Sequence, residues 1–203
     1  MMAQKTAHFH IQDIRFCIPQ LILYFSIKDR VSSTMNVAKE HIFHNKNNSL
    51  MITNEQTNGR GRSGNLWISE KGNIFFTLKI NFNYKVIKHH EIGLLSCIEI
   101  KKTLEKFNLN NVKLKWPNDI FINNSKVGGI IVEIHENKKN YYCLLGIGIN
   151  FISSPKIAYY KTTYLKKYNK HIDREIFIKN FLENFFTSLK TWNQNNKFKF
   201  IKY

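Results

Sequence analysis

Hydrophobic and polar positions alternate in short runs along much of this chain, interrupted by stretches of helical period and by polar loops. Leu21 to Ile27 reads as a strand. Ser32-Ser33-Thr34 follows, where a hydroxyl can accept from the unpaired amides of a first helical turn, which predicts a helix through about Phe43. Ser49 to Asn54 is a second strand, then comes a polar, glycine-punctuated loop from Glu55 to Asn73, and Ile74 to Ile80 is β-rich. Glu91 to Phe107 has the clearest helical period, with Leu94, Cys97, Ile98, Leu104 and Phe107 on one face. His89-His90-Glu91 lacks the i, i+4 histidine pair of zinc hydrolases and reads as the opening of that helix.

Three strands with short turns come next. Val112 to Trp116 leads through Pro117-Asn118 to Asp119 to Ile122, and Asn123-Asn124-Ser125 turns into Val127 to Ile134. Glu136 to Asn140 turns again into Tyr141 to Phe151. Beyond Pro155 the chain is polar until Asp173 to about Trp192, an amphipathic closing helix. This order is neither strict β-α alternation nor all-β. It predicts an α+β domain with helices packed on a mixed, mainly antiparallel sheet. The expected organisation is an extension over 1–20, one domain over 21–195 and a tail over 196–203.

Composition narrows the class. The chain has 203 residues and is 43% hydrophobic and 14% aromatic, enough for a single packed core. The longest apolar runs are too short to span a bilayer, so no membrane role is expected. The apolar stretch after Lys5 and Arg15 loosely resembles a signal peptide, but Pro19 interrupts it and no small-residue cleavage site follows, which favours a cytoplasmic protein. Cys17, Cys97 and Cys143 are odd in number and widely spaced, so they read as reduced, apolar side chains and not as a disulfide or zinc framework. His8 and His10 read as a frayed terminal stretch, and Trp192 and Phe198 as packing residues. The formal charge of +17 is spread over scattered lysines, with steering of anionic partners as a by-product.

Two segments carry candidate chemistry. Gly59-Arg60-Gly61-Arg62-Ser63-Gly64 puts three glycines and two planar cations together, a composition suited to holding phosphate. It matches neither the Walker nor the dinucleotide pattern. Lys115-Trp116-Pro117-Asn118-Asp119 sets a lysine at a strand end, where it can meet a carboxylate and an α-phosphate or simply extend into water. Asn118 and Asp119 can assist a magnesium ion or a nucleotide hydroxyl, or form the turn. Gly128-Gly129 and Gly146-Ile147-Gly148-Ile149-Asn150 permit close backbone approach to a ligand or to another strand.

Taken in order, Ser33-Thr34, Gln56, Gly59 to Arg62, Lys115 to Asp119, Lys126-Val127-Gly128-Gly129-Ile130 and Gly146 to Asn150 resemble the biotin–protein ligases over about residues 21 to 195. The resemblance implies the class II aminoacyl-tRNA synthetase-like catalytic domain of biotin and lipoate ligases. It also implies a two-step reaction, in which biotin and ATP, with Mg2+, form biotinyl-5′-adenylate, and a lysine of a biotin carboxyl carrier protein then takes the biotinyl group. By the same resemblance Arg60, Gly61 and Arg62 order over the adenylate, Arg62 faces phosphate, and Lys115 bridges the biotin carboxylate and the α-phosphate. Ser33, Thr34, Met35 and Gln56 line the biotin pocket, with Gly59, Asn118, Asp119, Gly128, Gly129 and Gly148 around the ligand. Trp67 stacks on adenine and Asn150 bonds its edge. How magnesium is held stays open.

The chain also departs from the family pattern. Met35 stands where Asn is frequent, and Asn65 stands where a further arginine is common. No winged-helix segment precedes Leu21, so no DNA-binding repressor role is expected. The small SH3-like C-terminal domain of such enzymes is expected to be absent, and the assembly is a monomer or a homodimer. Three alternatives stand beside this reading: a lipoate or octanoyl ligase of similar fold, a basic nucleic-acid-binding module, and a decayed ligase that binds biotin without transferring it.

Overall fold

The computed structural model describes residues 23–40, 48–82, 89–137 and 140–195. The expectations for the 1–20 extension, for Leu21 and Ile22, for the helix beyond Glu40, for Cys17 and for the tail over 196–203 fall outside these residues. So does the centre of the turn after Asn137.

One sheet, eight-stranded among the described residues, organises the fold. Its strands are β1 (Leu23–Val31), β2 (Asn48–Arg60), β3 (Leu66–Ser69), β4 (Ile74–Phe82), β5 (Val112–Lys115), β6 (Asp119–Ile122), β7 (Ser125–Asn137) and β8 (Asn140–Ile149). The order is β1-β2-β4-β8-β7-β6-β5, with β3 also paired to β2. Among the described strands only the β1–β2 pair is parallel, so the mixed, mainly antiparallel sheet is as the pattern predicts. The helices are α1 (Thr34–Glu40), α2 (His89–Lys106) and α3 (Arg174–Asn195). Asp173 caps α3, its Oδ1 accepting from the amides of Glu175 and Ile176 at 2.8 and 2.9 Å.

Strand alternation separates two faces. On β4, Ile74, Phe76, Leu78 and Ile80 join the large core under α2 and α3, where the ring of Phe76 lies 5.7 Å from that of Phe181. Burying each such side chain contributes roughly 1.5–3 kcal/mol. The opposite face carries the smaller cluster of Met35, Val37, Ala38, Met51, Tyr142 and Leu144 under α1. Lys79 is buried there with its Nζ 5.1 Å from the Tyr142 ring, and loss of solvation lowers its pKa.

Two expectations about elements are corrected. On α2 the buried apolar positions are Ile92, Leu95, Cys97, Ile100 and Leu104, while Leu94, Ile98 and, just past its end, Phe107 are half-buried. The helix is covered along two flanks, by the sheet and by α3. Its polar Glu99 is therefore also buried, bonded to Ser188 and Lys102. The supposed loop from Glu55 to Asn73 is mostly a hairpin. β2 continues to Arg60, a 3-10 turn spans Arg62–Gly64, and β3 returns along β2. Gly59 is needed for that return, since a Cβ there would lie 2.4 Å from the Trp67 carbonyl oxygen. Ser63 (φ 54°) and Gly64 (φ 77°) turn the chain through the left-handed region.

Candidate active site

The hairpin, α1 and the middle strands enclose an open cavity of about 510 Å³, a size ordinary for a small-molecule site. Its wall takes Thr34 and Met35 from α1, Gln56 and Arg60 from β2, and Gly61 and Arg62 from the turn. Trp67 comes from β3, Asn118 and Asp119 from the β5–β6 turn, and Gly129 and Gly148 from β7 and β8.

A neutral hydrogen-bonding cluster sits where α1 meets β2. Gln56 Oε1 accepts from the Thr34 amide at 2.8 Å and from its hydroxyl at 3.1 Å, and Thr77 donates to Thr34 Oγ1 at 2.9 Å. Gln56 Nε2 donates to Ser69 Oγ at 2.9 Å, which fixes the amide's orientation. Three hydrogen bonds, two from Thr34 and one to Ser69, thus hold both ends of the Gln56 side chain. Ser33 is fully buried behind this cluster, and its Oγ has no hydrogen-bond partner.

The indole of Trp67 lies across the backbones of β7 and β8. A Cβ on Gly148 would come 2.6 Å from its Nε1, and one on Gly129 would come 3.1 Å from its ring. The glycines are therefore the seat of the ring. Trp67 Nε1 is a buried donor without a partner, and Asn150 Oδ1 is a buried acceptor without one. Asn150 Nδ2 is anchored on the Thr163 carbonyl at 3.0 Å. Asn150 is not on the main wall; it borders a small adjoining recess together with Trp67, Lys126 and Tyr160. A buried unpaired donor and acceptor beside one recess cost free energy that a polar, planar ligand can recover.

The cations gather beside the Asn118–Asp119 turn. Arg62 Nη1 donates to Asn118 Oδ1 at 3.2 Å, and Asn118 Nδ2 is held on the Ile130 carbonyl at 2.8 Å. Lys126 Nζ pairs with Asp119 Oδ1 at 2.7 Å and lies 5.3 Å from the rings of both Trp67 and Tyr160. Arg60 is held by an ion pair with Glu133 and by Asn36 Oδ1 at 3.3 Å.

Eleven of the sixteen sequence-derived site residues therefore meet on one wall. Ser33, Gly59, Lys115, Gly128 and Asn150 do not line it. Gly128 packs toward Ile149, which a Cβ would meet at 2.4 Å. Lys115 departs most from its expected place. It is exposed at the end of β5, opposite Asp119 in register, with its Nζ 5.7 Å from the Phe121 ring. The lysine on the wall is Lys126, which the motif contained but to which no role was given. Its side chain is only 14% exposed. Tyr160 and Ile157, on the segment after β8, also line the cavity unforeseen.

Among the described residues no three His, Cys, Asp or Glu side chains converge as a metal site. Among those same residues Asp119 is the one acidic side chain on the wall, and it is paired to Lys126. A single carboxylate, already paired, is a poor set of hard oxygen donors for a resident divalent cation. Among the described residues no helix is long and apolar enough to cross a membrane.

A scan against protein-family models finds the biotin/lipoate A/B protein ligase family over residues 27–150, and the chain belongs to that family. It is 30% identical over 154 residues to the bifunctional ligase/repressor BirA of Bacillus spizizenii, a match covering 73% of this chain and 47% of that protein. It is 33% identical over 126 residues to the chloroplastic biotin–protein ligase 1 of Arabidopsis thaliana, covering 60% of this chain and 34% of that one. The chain thus spans half or less of these relatives' length. Among solved structures, the Aquifex aeolicus biotin protein ligase in complex with biotin and ATP superposes with a TM-score of 0.71 at 26% identity, covering 85% of this chain and 72% of that one. The fold expected from the resemblance is the fold observed.

Proposed function

We propose that this chain catalyses biotin ligation in two steps. The carboxylate oxygen of biotin attacks the α-phosphorus of ATP, giving biotinyl-5′-adenylate and pyrophosphate. A lysine amine of a biotin carboxyl carrier domain then attacks the acyl carbon, the amide forms, AMP leaves and the amine's proton is released.

The convergence of Arg62 and Lys126 on one turn, within a cavity that also holds the neutral Thr34–Gln56 cluster, carries this reading. Bringing a carboxylate onto a phosphate brings two anions together, so the main demand on the protein is fixed positive charge in a partly desolvated site. Lys126 meets that demand better than Lys115, because Lys126 is on the wall. It would bridge the carboxylate and the α-phosphate, with Asp119 holding it in place before ligand enters. Arg62 would face the phosphates, and Arg60, Gly61 and the turn would cover the adenylate. Thr34 and Gln56 suit the donors and acceptor of a ureido ring, with Ser33 buried behind them. Trp67 offers a stacking surface, and Asn150 an edge contact for adenine. Magnesium, when bound with the nucleotide, would shield phosphate charge.

A covalent enzyme intermediate is not required, and the described thiols are unsuited to one. Burial, with the nearby charge of Asp119, pushes Cys97 up to about 12, and burial alone pushes Cys143 higher still.

Biotin-dependent ATP–pyrophosphate exchange, followed by transfer to an apo-carrier domain, is the decisive measurement. Exchange that responds to lipoate and not to biotin would move the assignment to the lipoate branch. Salt-sensitive nucleic-acid binding with no exchange would replace it altogether.

A further inference from the structure

Between Phe151 and Ile172 the chain carries five lysines and no acidic residue. Apart from the 3-10 turn Leu165–Lys167 this segment has no helix or strand, yet it is bonded to the rest of the fold at two places. Asn73 Oδ1 accepts from the amides of Phe151, Ile152 and Ser153 at 2.8, 3.0 and 3.2 Å. Further along, the Lys126 amide donates to the Lys161 carbonyl at 2.8 Å, and the Thr163 amide donates to the Lys126 carbonyl at 2.9 Å. The segment is thus bonded on both sides to the backbone of the lysine on the cavity wall.

It forms a lip of the cavity. Ile157, Tyr159 and Tyr160 border the opening, and Tyr159 is 95% exposed. Lys156, Lys161, Lys167 and Lys170 are exposed and do not line the cavity. Their charge therefore points outward, while Arg62 and Lys126 supply charge inside. Glu70, bonded to Ser153 Oγ at 2.8 Å, is the acidic group that touches the segment's start.

We propose that this lip is the docking surface for the protein that accepts the acyl group, and that the matching face of that carrier is acidic. The proposal rests on the two-step reading above. A macromolecular acceptor must bring its amine to the cavity, and the lip is one of the exposed edges that line it, beside the hairpin's Ser63, Asn65 and Leu66. Outward lysines around an exposed tyrosine have the make-up of an interface whose charged rim sets encounter rate while an aromatic supplies contact area. Because the backbone is bonded on both flanks of the stretch that carries Lys156 and Tyr159, the ordering cost added on docking is reduced.

The test uses the whole chain, its Lys156→Glu/Lys161→Glu/Lys167→Glu/Lys170→Glu variant and a milder Lys156→Gln/Lys161→Gln variant, each checked for folding by thermal melt. The probe is a purified apo biotin carboxyl carrier domain, together with a form whose surface carboxylates beside the target lysine are neutralised. The fourfold reversal is expected to raise KM for the carrier ~10-fold or more and to flatten its dependence on salt, with the glutamine pair intermediate. Biotin-dependent ATP–pyrophosphate exchange stays within about twofold, since the changed side chains lie outside the cavity. The neutralised carrier should show the same rise with the parent chain. An unchanged carrier KM and salt slope overturn the proposal. A raised KM for ATP with carrier KM unchanged assigns the lysines to the triphosphate and also overturns it, as does loss of nucleic-acid binding with transfer intact. Titration of labelled carrier onto parent and variant reads the surface without any turnover. Absence of exchange in the parent chain therefore counts against the two-step reading, and the titration alone decides the lip.

Discussion

Lys115 and Lys126 lie on one β-meander, each beside the same Asn118–Asp119 turn, and their surroundings differ completely. Lys115 ends β5 in regular alternation. Val112 is buried and Leu114 half-buried on one side, and Lys113 and Lys115 are exposed on the other. Lys126 opens β7 next to a slip in register. Ile120 opposes Gly128 but Phe121 opposes Lys126, so Val127 is an extra residue on β7. Val127 is wholly buried in the core. Counting back by twos from Gly129, a cavity position, would assign residue 127 to the cavity and 126 to the core. The bulge reverses this and delivers Lys126 to the wall. A lysine's role here is set by strand pairing and not by its neighbours in sequence.

The largest expected effect tests that contrast directly. Lys126→Ala should lower kcat for biotin-dependent exchange by ~10²–10³-fold, the loss typical of removing one donor from a site of developing charge. A near-normal exchange rate in this variant would break the comparison. Arg62→Ala should follow with a loss of about 10- to 100-fold, because Arg62 is more exposed and water can partly replace it. Gly148→Val should raise KM for ATP roughly tenfold, since a side chain there displaces the indole against which Lys126 rests, an overpacking cost of about 1–3 kcal/mol. An unchanged KM would show that Trp67 can move without consequence. Lys115→Ala should change exchange by less than about threefold and stability by less than about 0.5 kcal/mol, as for other exposed side chains. Equal losses in the two lysine variants would show that the meander rearranges when ligand binds.

The same contrast explains how much of the molecule was legible beforehand. The strands of the meander, β4 and β8 could be read because alternation and turn residues record local burial directly. Asn123 and Asn124 at positive φ are an example, since their side chains tolerate that conformation. Gly146 and Gly148 were legible as places of close approach, although Trp67 and Met35 as the approaching groups were not. The Glu55–Asn73 segment was misread because its polar and glycine residues look like a solvated loop. Only pairing with β3 shows that its backbone is a strand. The α2 face was misread because α3 covers a second flank that the helical period cannot anticipate.

By itself, the sequence determined the α+β class, the order of elements and the set of motifs that ties the chain to its family. These depend on period, turn chemistry and composition, all of which are local. The tertiary structure alone decided that Gln56 and Thr34 share hydrogen bonds, that Trp67 lies on Gly148, that the lip after β8 is bonded to β7, and that Lys126 and not Lys115 faces the cavity. Each of these depends on the register between strands distant in the chain. A one-residue slip in that register turns a side chain to the opposite face without changing the local pattern.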